Sequence, residues 1–213
     1  MKQAAAYALL ATLMMVRAAE AGTANAVRTI GVVSEATDTT IVVQPRAKPS
    51  DAAAAVTLAV NADTVYAAAA PGVVSDAAVG ATVAVATDAD GAAGHALALV
   101  VYQPAKESAN TAAAAEAAVV VMARQARLDG AGKPAAIVVG KVTVVNGAKL
   151  TVESGGYKYI VTTTDNTAVK TLSDRTQADI TQGVGVLGVS TDDGTTLTAR
   201  CVLLGLTPAR KVK

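Results

Sequence analysis

The chain carries the same punctuation twice. TIGVVSEATDTTIVVQ from Thr29 and VVGKVTVVNGAKLTVE from Val138 share their spacing, so Gly31 falls on Gly140 and Ile41 on Leu150 at a constant offset of 109. Further on, VNADTVY from Val60 matches TTDNTAV from Thr163, which places Asp63-Thr64 on Asn166-Thr167. Gly80, Val83 and Asp90-Gly91 then fall on Gly183, Val186 and Asp193-Gly194 at an offset of 103. The difference of six residues fits a longer hairpin loop in the first unit, around Pro45 to Ala55. The last pieces, HALALVVY and TLTARCVLL, align at an offset of 100, which predicts a second loop difference after Gly91. Self-similarity on this scale constrains a fold strongly, because each copy must make the same supersecondary unit.

Inside each unit the pattern is strand-like. Val32 to Ser34 and Thr40 to Val43 flank the polar turn Glu35 to Thr39, and Lys141 to Val145 and Lys149 to Val152 flank Asn146-Gly147. Asn-Gly between β-branched runs is a strong hairpin signal. Alternation continues at Val56, Leu58 and Val60, and at Tyr157, Tyr159 and Val161. Alanine runs interrupt this third-strand region of the first unit and favour helix. Short helical turns are expected at Ser75 to Val79 and Gln177 to Thr181, closed by Gly80 and Gly183, before two more strands. Three strands, a short helix and two strands suit a five-stranded, OB-like small barrel.

Gly140, Asn146-Gly147, Leu150, Val152, Asn166, Thr167, Gly183, Val186, Asp193-Gly194, Leu197 and Ala199 together resemble a small-barrel domain of unknown function. Such domains are widespread in exported bacterial proteins, often as tandem copies. The resemblance implies an extracytoplasmic β module and supplies no catalytic residues.

Between the units, Asn110 to Leu128 reads as a helix, with Ser108 or Asn110 as its cap and Gly130 as its stop. Ala115, Val119, Met122 and Ala126 share one face, and Glu116, Arg124 and Arg127 lie on another. The β-branched run Val119 to Val121 keeps a strand open as the alternative. At the N-terminus, Met1-Lys2-Gln3, the apolar run Ala4 to Val16 and the small-residue stretch after Arg17 have the layout of a secretory signal. Thirteen residues of helix reach about 20 Å, against about 30 Å of hydrocarbon, so no stable transmembrane span is expected. Cleavage is expected after Ala21, with Ala26 as the second choice; an Ala-rich first helix of the folded domain is the alternative.

Half of the 213 residues are Ala, Val or Thr, and Phe and Trp are absent, so the core must be built from small and β-branched side chains. A formal net charge of +1 leaves no electrostatic footprint for nucleic acid or an anionic membrane. Residues 22 to 138 hold 7 basic and 10 acidic groups, and 139 to 213 hold 9 and 6, giving −3 and +3. The halves could attract one another, or a second copy could pair head to tail; ordinary scatter on a screened surface is the simpler reading.

Chemistry-bearing residues are sparse. Gly183, Gly185 and Gly188 fit the dinucleotide fingerprint G-x-G-x-x-G, but a hairpin follows where a helix is needed, so a strand bending at Gly185 or Gly188 is expected instead. Asp88, Asp90 and Gly91 lack the strong ligands of a calcium loop and read as an Asp-stabilised turn, as do Asp192 and Asp193. His95 has no second histidine for a metal site and is expected at the edge of the fifth strand. Cys201, the single cysteine, excludes an internal disulfide and multi-cysteine metal sites and reads as a small buried hydrophobe. Tyr157 and Tyr159 project from one face of the third strand, where OB-like barrels bind single strands or sugars. In a core without Phe or Trp they can equally supply bulk.

These readings combine into a mainly β chain. A signal peptide (1–21), a first OB-like barrel (27–103), a helix and linker (104–137), a second barrel (138–206) and a basic tail (207–213) follow in order. The expected role is non-enzymatic, structural or interactive, in the bacterial envelope or outside the cell, without cofactor or metal and with an envelope protein or glycan as partner. The alternative is a binding protein for an extended glycan or oligonucleotide through Tyr157 and Tyr159.

Overall fold

A computed structural model describes residues 26–46, 54–128, 130 and 132–206. The expected leader with its cleavage at Ala21, part of the long hairpin loop (47–53) and the basic tail lie outside the described residues.

The first half supplies β1 (Ala26–Ala36), β2 (Thr40–Pro45), β3 (Val56–Ala59), β4 (Val65–Pro71), a 3-10 turn (Val74–Asp76), β5 (Thr82–Thr87) and β6 (Ala93–Tyr102). After α1 (Ala109–Leu128) come β7 (Ala136–Asn146), β8 (Lys149–Ser154), β9 (Tyr157–Thr162), β10 (Ala168–Asp174), a second 3-10 turn (Gln177–Asp179), β11 (Gly185–Asp192) and β12 (Leu197–Leu204). Among the described residues each half therefore has six strands rather than the expected five. The additional ones are β4, which contains the alanines that favour helix, and β10. Propensity is a weak prior here: β4 is held on both sides, antiparallel to β10 and parallel to β12.

The twelve strands form one sheet, in the order β11-β1-β2-β3-β12-β4-β10-β6-β5-β7-β8-β9, and not two separate barrels in tandem. Further pairings of β11 with β12 and β6 with β9 bend its two ends into rings. The first ring takes β1, β2 and β3 from the first half and β11 and β12 from the second. The second takes β7, β8 and β9 with β5 and β6. After β4 the chain crosses from the first ring to the second; after β10 it crosses back. Both halves present the same inward alternation, so strands of either can complete a ring.

Residues at matching positions do matching work. Gly31 lies opposite Val186 on β11, and Gly140 opposite Val83 on β5. The Thr64 hydroxyl donates to the Ala199 carbonyl at 2.9 Å, and that of Thr167 to Ala96 at 2.8 Å. Bulges fall at Val33/Glu35 and Val142/Val144, and again at Ala86/Thr87 and Val189/Ser190. Ala96 and Ala199 are equivalent, so the offset of 103 runs to the end of β12. The three-residue slip expected after Gly91 does not occur, and Cys201 corresponds to Ala98 instead of Val101. Where β4 meets β10, Ala69 opposes its own counterpart Leu172, which puts a local twofold between them.

Three apolar clusters follow. Val33, Ile41, Val43, Leu58, Val186 and Val202 lie in the cluster of the first ring; Val142, Leu150, Val152, Val161, Val83 and Leu99 lie in that of the second. The third lies under α1, where Ala114, Ala115, Ala118, Val119 and Met122 pack with Ala84, Ala86, Ala98, Leu187 and Leu203. The predicted apolar stripe is buried, and Glu116, Arg124 and Arg127 are exposed. Val119 to Val121 are helical, which closes the strand alternative. Ser108 is the cap: its hydroxyl accepts the Asn110 N–H at 3.2 Å. Asn110 instead ties the helix to the sheet, donating to the Asp63 carbonyl and accepting from Arg200. Among the described residues no helix is long and apolar enough to cross a membrane.

Candidate functional site

The outward face of β7, β8 and β9 carries the most distinctive surface chemistry. Cross-strand register sets its rows, because directly opposed residues share a face. Val144, Thr151, Ile160 and Ala93 stand in one row across four strands, with Val144 51% and Ile160 48% exposed. On one side runs a charged row, Lys141, Glu153 and Lys158; on the other runs Asn146, Lys149, Thr162 and His95. The matching row of the first ring is Glu35, Val42 and Thr57, so the apolar band is peculiar to the second.

Two hairpins border this face. Asn146 leads into a tight turn at Gly147, whose φ of 56° suits glycine. The other border, between β5 and β6, comes from the opposite half of the chain. There Asp88 accepts the His95 backbone N–H at 2.7 Å and meets the His95 Nδ1 at 3.2 Å. The backbone bond, with the imidazole behind it, holds the Asp88 carboxyl below the usual aspartate range. No sequence spacing signalled this His-Asp pair, because it depends on the length of the hairpin between them.

The two tyrosines part company. Tyr159 points inward and packs against the cluster of the second ring, as bulk for a core without Phe or Trp. Tyr157, beside the turn at Gly155 and Gly156, is 55% exposed. Both lie on the inward side of β9, opposite the face that carries Ile160.

Other candidates serve the scaffold. Gly183 ends a turn, and Gly185 and Gly188 lie in β11, with no helix following the fingerprint. Asp193 Oδ1 accepts the N–H groups of Thr195 and Thr196 and the Thr195 hydroxyl, and these bonds lower its pKa. Cys201 is buried beneath α1, and that burial pushes its thiol up to about 12. Tyr102 is buried with its hydroxyl donating to Asp174 at 2.7 Å; burial first, then the carboxylate, raises its pKa. The Asp174 carboxylate also accepts the Ala105 N–H, fixing the exit from β6 towards α1. Among the described residues the buried Tyr66 hydroxyl has no hydrogen-bond partner; burial raises its pKa, and the nearby Thr64 side chain offsets part of the rise. An open groove of about 410 Å³ runs past Ser75, Asp76, Gln103 and Thr171. Among the described residues no three His, Cys, Asp or Glu side chains gather as a metal-binding group.

Comparison with models of protein families, with curated proteins and with solved structures found no match to this chain.

Proposed function

We propose that the chain is two copies of one small-barrel unit, OB-like in strand order, acting as a non-enzymatic interaction module outside the cytoplasm. Its docking face is the outward side of β7, β8 and β9, and the partner it fits is an extended, acidic segment of an envelope protein. The apolar row of Val144, Ile160 and Ala93 carries this reading, flanked by Lys158 on one side and Lys149 on the other. An apolar strip would give area to a bound segment, and the lysines would favour an acidic one. Asp88 and Asp193 are engaged in turns, and Cys201 is buried, so these three side chains serve the scaffold. Export rests on the signal-like residues 1–21.

The test is capture of envelope proteins by the mature chain and by Ile160→Glu and Lys149→Glu variants, with acidic peptides as defined probes. Saturable binding lost in both variants, with their melting unchanged, supports the reading. Undiminished binding by Ile160→Glu, or none to any acidic probe by the parent chain, sinks it.

Exposure of Tyr157 favours a second reading, stacking of a glycan or an oligonucleotide at the Gly155-Gly156 turn, with Tyr159 supporting from below. Loss of glycan or single-strand binding in Tyr157→Ala alone would select it.

A further inference from the structure

We infer that the first half of this chain can pair with the second half of another copy, so that two chains exchange halves and form a reciprocal dimer. Each ring needs three strands from one half and two from the other, so neither half covers its own inward face in this arrangement. What makes the pairing specific is side-chain volume. A Cβ on Gly188 would lie 2.7 Å from Leu58 Cδ1, so the long side chain of β3 fills the space that the glycine of β11 leaves. The equivalent positions of the second ring are Val161 and Val85, two side chains of middle size, both in that ring's cluster.

If each half closed on its own strands, Leu58 would face Val85 in one ring and Val161 would face Gly188 in the other. The first is overfilled and the second leaves a void, and close-packed interiors accommodate neither without loss. A first half is therefore matched to a second half, and nothing in that match identifies the second half as belonging to the same chain. A single covalent connection, residues 103–135, joins the halves, and it includes Gly130 and Gly132 between α1 and β7. Swapping an identical element between protomers is a low-cost route to dimers.

The experiment uses full-length chains bearing Leu58→Val, Gly188→Val or both, unfolded in denaturant and refolded alone or as a mixture of the two single variants. Melting temperature and mass by light scattering are read. Each single variant is expected to melt roughly 3–10 °C lower, and the double variant to regain most of the loss. The mixture should yield a dimer melting with the double variant, because Leu58 meets Gly188 in one pair of halves and the two new valines meet in the other. If a single variant does not fold alone, a folded dimer appearing only in the mixture carries the same meaning. Failure of the double variant to recover would overturn the volume match between positions 58 and 188. Recovery in the double variant, with only monomer and no rescue in the mixture, would overturn exchange between copies.

Discussion

Gly31 and Gly140 occupy matched places in different rings, and both are held there by backbone. A Cβ on Gly31 would come within 2.2 Å of the Gln44 carbonyl oxygen, and one on Gly140 within 2.1 Å of that of Glu153. Backbone cannot swing aside as the end of a side chain can, so the added methyl must push β2 or β8 away. Gly31→Ala and Gly140→Ala are each expected to destabilise the fold by about 1–3 kcal/mol, the usual range for overpacking, read by denaturant unfolding; unchanged midpoints would refute the close approach. Acid sensitivity is also decided residue by residue. Asp88, Asp179 and Asp193 each accept backbone N–H groups that hold their carboxyls below the ordinary value. A carboxyl that binds its proton less readily when folded contributes stability above its unfolded pKa of about 3.9, and that contribution disappears as pH falls through the depressed folded values. Melting temperature should therefore hold from pH 7 to about 5 and fall below about pH 4, with a shallower fall in Asp193→Ala. An identical acid profile in that variant would remove Asp193 from the account.

At the scale of elements, α1 reaches the sheet through alanines, which allow a close approach of helix and strand backbones. The ion pair of the helix with Arg28 through Glu116, and that of Lys141 with Glu107 just ahead of it, are solvent-exposed and worth about 0–1 kcal/mol each, so packing, with the hydrogen bonds of Asn110, must hold it. Ala118→Leu is expected to lift α1, costing about 1–3 kcal/mol and raising amide exchange along the helix before the strands; uniform exchange would argue against a separately docked helix. This helix was legible in the sequence because its cap, its apolar stripe and its Gly130 stop agree. The hairpins were legible for the same reason, as Asn146-Gly147 and Asp193-Gly194 allow few other turns. β4 was hidden: Ala67 to Ala70 prefer helix locally, and only neighbours distant in sequence, β10 and β12, make them a strand. The pairing of His95 with Asp88 was hidden in the same way, being set by a hairpin rather than by spacing. On the outward face, the apolar row of Val144 and Ile160 emerges only when β7, β8 and β9 are put in register, since the two residues are sixteen apart along the chain.

For the whole molecule, the matching punctuation of the two halves was visible in the sequence, and the way their strands combine into one sheet was not. Two sequences with the same strand pattern can close separately or by exchange, and the local signals are identical in both cases. Only a few volume differences, with Leu58 and Gly188 the clearest, tell them apart. A break in the connection separates the two possibilities directly. With a specific protease site inserted between Gly132 and Pro134, cleavage of the folded protein would free two barrels if each half were closed on itself. In the exchanged sheet, β1 pairs with β11, β5 with β7, and β4 with β10, so every path between the halves still runs through hydrogen-bonded strands after the cut. The hydroxyls of Thr64 and Thr167 cross between the halves as well. The two fragments are expected to coelute at the mass of the intact chain and to part only in denaturant, in one transition shared by both. Separation under native conditions would mean that the rings are held by their own strands. Because the cut restores independent chain ends, the unfolding midpoint of the nicked complex should also depend on concentration, which that of the uncut monomer does not.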